Sequence, residues 1–176
     1  MNDNCRTLLV CFGSPHGDDQ VGWAVADSVV THDRLRSHVD VRKAAVPLDL
    51  LDWLEGVRRL HVCDAYHDPS LPGAMRRWEW TAETETSKPA DMFREFVRLR
   101  CGGSHGFGLI ETLDLAASLE RLPRQIVVWG TAGSNFASGA PISTAIRQAL
   151  PDIVDTIVNE LDHARNVPGA FAAPAS

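Results

Sequence analysis

The sequence predicts an α/β fold of three layers, a mostly parallel, twisted sheet of about five strands between helix layers with one antiparallel strand. Three observations point there. Thr7–Phe12, Arg59–Ala65 and Gln125–Gly130 are short apolar runs with little polar alternation, the mark of strands buried on both faces. Stretches with helical spacing of apolar residues lie between them. The chain has 176 residues, enough for one core of this size and too few for two.

Taken in order, Thr7–Phe12 is the first strand and ends at Gly13. Gly17-Asp18-Asp19 opens a helix with Val21, Ala24, Val25, Ser28 and Val29 on its inward stripe. A second strand is expected over Val39–Val46, then a short helical stretch from Pro47 holding Leu48, Leu51 and Leu54. Arg59–Ala65 is the third strand. The stretch Tyr66–Gly73 is too short for a crossover helix, so Ala74–Trp80 should run antiparallel. Met92, Phe93, Phe96, Val97 and Leu99 suggest a short amphipathic helix within Thr81–Gly103. Leu109–Leu122 is a clearer helix, with Leu109, Leu113, Ala116 and Leu119 inward and Pro123 stopping it before the strand Gln125–Gly130. Ser143 can cap one further helix, and Pro151-Asp152 can open another. Residues 1–165 are expected to form a single domain and 166–176 a disordered tail.

Composition excludes several classes. Residues are 44% hydrophobic and 23% charged, and the net charge is −6 without a basic stripe, so phosphate neutralisation of a nucleic acid is not expected. No stretch of about twenty apolar residues exists to span a membrane. The polar start, with no basic segment before a long apolar one, makes the cytoplasm the expected compartment. Cys5, Cys11, Cys63 and Cys101 are widely spaced without a C-x-x-C pair; Cys11 and Cys63 fall in strand-like runs and read as reduced core residues.

In such a fold the working residues lie in loops at the carboxyl ends of the strands. The first is Gly13-Ser14-Pro15-His16-Gly17-Asp18-Asp19-Gln20-Val21-Gly22. Its glycine spacing fits neither a dinucleotide fingerprint nor a phosphate loop, and Asp18 and Asp19 would repel a phosphate. A helix cap worth about 1 kcal/mol is the plain reading of one aspartate, but two adjacent acids exceed what a cap requires. The second loop is Cys63-Asp64-Ala65-Tyr66-His67-Asp68. If Asp64 emerged within about 4 Å of Asp19, the two carboxylates would repel by about 4 kcal/mol at an effective dielectric near 20. Neither loop holds a Lys or Arg to relieve this, which favours a bound cation. The third is Gly103-Ser104-His105-Gly106-Phe107-Gly108, where glycines flank a histidine before a helix. Two carboxylates and an imidazole suit a borderline transition metal and leave coordination positions open. His16 and His67 are weaker candidates for a ligand or proton shuttle, and His61, within a strand, reads as structural. No G-x-S-x-G elbow accompanies Ser14 or Ser104.

These three loops resemble those of the hydrogenase maturation proteases, endopeptidases that trim a C-terminal peptide from the large subunit of nickel–iron hydrogenases. The resemblance spans about residues 6–162 and includes Pro72-Gly73 and Gly139-Ala140-Pro141-Ile142-Ser143 leading into paired helices. It implies that Asp19, Asp64 and His105 are the metal-binding positions and that Asp18, Asp19, Asp64 and His105 form the catalytic set. Asp18 would orient the loop or serve as base. The metal would be nickel carried by the substrate, or another divalent metal, and the partner a nickel–iron hydrogenase large-subunit precursor. Three positions depart from the family pattern. Ser14 replaces the usual Asn, the loop is one residue shorter before the acid pair, and Gln20 replaces a Gly. Thr81–Gly103 is also longer than usual, which would reshape the substrate cleft. A non-cleaving paralogue that binds a metal-loaded partner, and a metal-assisted hydrolase of a small substrate, are the alternatives at this stage.

Overall fold

Strand β1 (Arg6–Phe12) is buried at every position after its first, as a continuous apolar run between two helix layers must be. The computed structural model describes residues 6–83, 88–99 and 108–163. The other strands are β2 (Val39–Ala44), β3 (Val57–His67), β4 (Met75–Thr81) and β5 (Gln125–Gly133), ordered β2-β1-β3-β5-β4 across one sheet. The β1–β2, β1–β3 and β3–β5 pairs are parallel, and β4 closes the edge antiparallel to β5. This is the expected architecture.

One face of the sheet is covered by α1 (Val21–Val29) and α4 (Thr144–His163), which pack on Leu9, Cys11, Cys63 and Trp129. The other face carries α2 (Pro89–Leu99), α3 (Leu109–Ser118) and a 3-10 helix over Pro47–Asp52, gathered around Val10, Phe12, Val62 and Tyr66. Among the described residues no helix is long and apolar enough to cross a membrane.

Several local expectations shift for identifiable reasons. The segment opening at Gly17 is a 3-10 turn over Gly17–Gln20, and α1 proper begins at Val21. Gly17 has φ +57°, which an ordinary helical turn does not admit. The inward stripe of α1 is Val21, Gly22, Val25, Ala26 and Val29, while Ala24 and Ser28 are half-buried. In the 3-10 stretch after β2 (Pro47–Asp52), Leu50 is buried whereas Leu48 is 44% exposed, and Leu54, just past its end, is buried. Helix α3 stops at Ser118, so Leu119 falls past its end and is 49% exposed. β2 ends at Ala44, short of Val46, while β3 and β5 run beyond their apolar stretches because they pair as far as His67 with Gly133.

The expected pair of C-terminal helices is one helix, α4, with Pro151 inside it. Pro151 faces solvent, where water can meet the carbonyl its missing N–H leaves unpaired. Ile146 before it and Ile153, Val154, Ile157 and Leu161 after it form a single buried stripe, which keeps both halves on one axis.

Candidate active site

The chain leaves β1 toward β2 on one side and later places β3 on the other, so the order reverses between β1 and β3. In open α/β sheets the crevice outside the strand ends at such a reversal is where ligands bind. The 3-10 turn bearing Asp18 and Asp19 follows β1 and packs against β3. Asp64 lies on β3 one residue past the last β1–β3 partners, Cys11 and Cys63. Gly22 makes this proximity possible: a Cβ there would stand 1.8 Å from the Phe12 carbonyl oxygen and 3.2 Å from that of Cys63. The start of α1 thus rests directly on the ends of both strands.

The three acids have different surroundings. Asp64 is 1% exposed, and its Oδ1 accepts the N–H of Ala65 at 2.8 Å. Beside it on β5 is Gly130, where a Cβ would meet Tyr66 and Trp78 at 2.9 Å, so an aromatic cluster closes that side. Asp19 is half-buried, and its carboxylate makes no hydrogen bond or ion pair with any described residue.

Asp18 is fully buried and turned into the protein. Its Oδ2 accepts the N–H groups of Ser134 at 2.8 Å and Asn135 at 3.0 Å, and its Oδ1 accepts that of Ser143 at 2.8 Å. Burial alone would raise its pKa, but the hydrogen bonds from Ser134, Ser143 and Asn135 hold it below the ordinary carboxylate value. Ser143 immediately precedes α4, so the charge also sits at the positive end of that helix. Asp18 therefore does not cap its own 3-10 turn; it binds the β5–α4 loop.

That loop carries residues whose roles the sequence did not disclose. Backbone bonds Gly17 N to Ala140 O (2.9 Å) and Asp18 N to Asn135 O (2.6 Å) join it to the acidic turn. Gln20, which stands where the family pattern has a Gly, turns its side chain onto the loop: its Nε2 donates to the carbonyls of Gly17 at 3.0 Å and Ala140 at 2.9 Å. His16 Nδ1 accepts the Gly139 N–H at 3.2 Å, and the His67 ring lies 5.9 Å from that of Phe136. Ser143, foreseen only as a helix cap, does accept the Ile146 N–H, at 3.4 Å. Its backbone bond to Asp18 spans 125 residues, which local pattern cannot reveal.

His105 lies outside the described residues, as do Ser104, Gly106 and Phe107. Among the described residues no three His, Cys, Asp or Glu side chains converge to hold a metal ion. Asp19 lies in the turn after β1 and Asp64 at the end of the neighbouring strand β3, and the third expected ligand belongs to the segment before α3. His61 is buried within the sheet, where its Nδ1 accepts the Trp129 indole N–H at 3.3 Å.

The same fold occurs in proteins of known structure. The hydrogenase maturating endopeptidase HybD from E. coli superposes with a TM-score of 0.69, covering 90% of this chain and 93% of its own, at 15% identity. The [NiFe] hydrogenase maturation protease HybD from Thermococcus kodakarensis gives 0.68, covering 89% and 99%, at 19% identity. A hydrogenase 2 maturation peptidase from a Thaumarchaeota archaeon gives 0.61, covering 89% and 97%, at 22% identity. No family model matches the sequence, and no curated protein sequence matches it.

Proposed function

We propose that this chain is a maturation endopeptidase that removes a C-terminal peptide from a nickel-loaded hydrogenase large-subunit precursor. The observation that carries this reading is the placement of Asp19 and Asp64. An unengaged carboxylate after β1 stands beside the end of β3 that bears a buried one, at the reversal point of a sheet shared with maturation endopeptidases over nine-tenths of the chain. Carboxylates on adjacent elements, with no Lys or Arg in either loop, would favour a cation between them where they approach. In this reading the cation is the nickel of the substrate, recognised by Asp19, Asp64 and His105, so that only a loaded precursor completes the site. A divalent metal at the scissile segment supplies Lewis-acid polarisation of a carbonyl or of an attacking water.

The residues of this chain then have separate tasks. Asp64, held by the N–H of Ala65 on a rigid strand, offers a fixed oxygen. Asp19, half-buried and unengaged, is open to an incoming ligand. The test is incubation of the purified protein with nickel-loaded and nickel-free precursor. Shortening of the loaded precursor alone is the expected result. A loaded precursor left intact, under conditions where a known maturation endopeptidase cuts it, overturns the proposal. Binding without a product would identify a non-cleaving partner protein. Tight binding of free nickel together with small-substrate turnover would identify a hydrolase with its own metal.

A further inference from the structure

We infer that Asp18 is a positioning residue that fixes Asp19 in the crevice by clasping the β5–α4 loop, and that this loop, Ser134–Ser143, is a wall of the substrate cleft. The inference deepens the proposed endopeptidase reading and rests on it for its kinetic test. Adjacent aspartates have opposite surroundings here. Asp18 has no exposed surface and spends its carboxylate on three backbone N–H groups of one distant loop. Asp19 is half-buried, with a carboxylate that meets no described residue. A group so enclosed is poorly placed to accept a proton from a substrate, which separates Asp18 from the role of base.

Steric fit points the same way. A Cβ on Gly133 would stand 2.8 Å from the Asp18 Cβ, and one on Gly17 would stand 2.1 Å from the Asn135 carbonyl oxygen. Two glycines thus let the acidic turn and the loop approach until the carboxylate reaches all three donors. The Gln20 amide bridges Gly17 and Ala140, and His16 accepts from Gly139, so both flanks of Asp19 are tied to the same loop. With the residue on each side of Asp19 anchored, its backbone has little freedom, and its side chain is held at the crevice. A loop fixed so closely to Asp19 must border whatever Asp19 contacts.

Asp18→Asn tests this. An amide keeps the size but turns one oxygen into a donor facing backbone N–H groups. Measured on fully folded protein with nickel-loaded precursor, kcat should fall by roughly 10–100-fold with KM nearly unchanged, as expected when the support of a metal-facing group is lost. Gln20→Ala, which loosens the same junction without disturbing a buried charge, should lower kcat by about 3–10-fold and serves if Asp18→Asn does not fold. Unchanged kcat in the folded variants, whatever their melting temperatures, would show that the clasp only stabilises the fold and would overturn the inference. Backbone amide NMR decides independently of cleavage. Doubled or exchange-broadened Asp19 amide resonances in the variants support positioning, and a single sharp resonance as narrow as the wild type's overturns it. If the wild-type protein cuts nothing, the endopeptidase reading falls while the NMR comparison still decides what Asp18 does.

Discussion

The indole N–H of Trp129 donates to Nδ1 of His61 at 3.3 Å, linking adjacent strands β5 and β3 inside the sheet. Nδ1 is therefore the acceptor and Nε2 carries the proton of a neutral ring, buried without a partner among the described residues. Burial first, then the positive charges of Arg77 and Arg59, push the His61 pKa from 6.5 down to about 3.

Stability should consequently drop as the solution is acidified. Between those two values the unfolded chain holds a proton on this ring that the folded chain does not, so unfolding is favoured by about 1.4 kcal/mol per pH unit. His61→Gln offers Trp129 an acceptor and cannot titrate. Urea unfolding of both proteins between about pH 6 and pH 4.5 should show a slope against pH shallower in the variant by about that amount. Equal slopes would mean that His61 takes up its proton within the fold.

Gly22→Ala should damage the fold severely. Its Cβ would collide with the carbonyl of Phe12, which belongs to β1 and cannot swing aside as a side-chain tip could. A loss of about 3 kcal/mol or more is expected, at or beyond the upper end for overpacking. Gly56→Ala is the control. Nothing lies within 4 Å of the added atom, but φ is +71°, so a loss of about 1 kcal/mol from backbone strain is expected. Denaturation midpoints of the two variants should separate accordingly, and similar losses would count against so tight a seat for α1 on the strand ends.

Asp64→Asn should abolish precursor processing while leaving the melting temperature nearly unchanged. The amide is isosteric and can keep one oxygen for the Ala65 N–H. A charge aimed at the reacting centre is worth on the order of 10²–10³ in rate, so the variant should lose at least that much. Global unfolding, read by circular dichroism, would instead make the buried carboxylate a structural element.

Cys11 and Cys63 stand opposite one another in the β1–β3 register and are both completely buried as free thiols. Alkylation needs an accessible thiolate. Iodoacetamide followed by peptide mapping should leave both unmodified in the native protein and modify both in guanidinium. Labelling under native conditions would show that the sheet opens between β1 and β3.

Much of the architecture was legible because it rests on local pattern. The continuous apolar runs at Thr7–Phe12 and Gln125–Gly130 could only be strands enclosed on both faces, and the short link after β3 forced β4 to run antiparallel. Asp19 and Asp64 could be singled out because carboxylates at strand ends with no nearby Lys or Arg require an explanation. The helix boundary at Pro151 was misjudged because a proline signals a local cost, whereas the stripe from Ile146 to Leu161 responds to a sheet surface formed by distant residues.

What the chain determined unaided was therefore its class, its antiparallel edge strand and the candidate acids at its strand ends, since period and terminal residues are properties of neighbours in sequence. Only the folded arrangement decided what surrounds each of those acids. Asp18 and Asp19 are chemically identical and adjacent, yet one meets three N–H groups from the β5–α4 loop and the other meets none. Their difference arises from donors more than a hundred residues away, and no local pattern records where such a loop will come to rest.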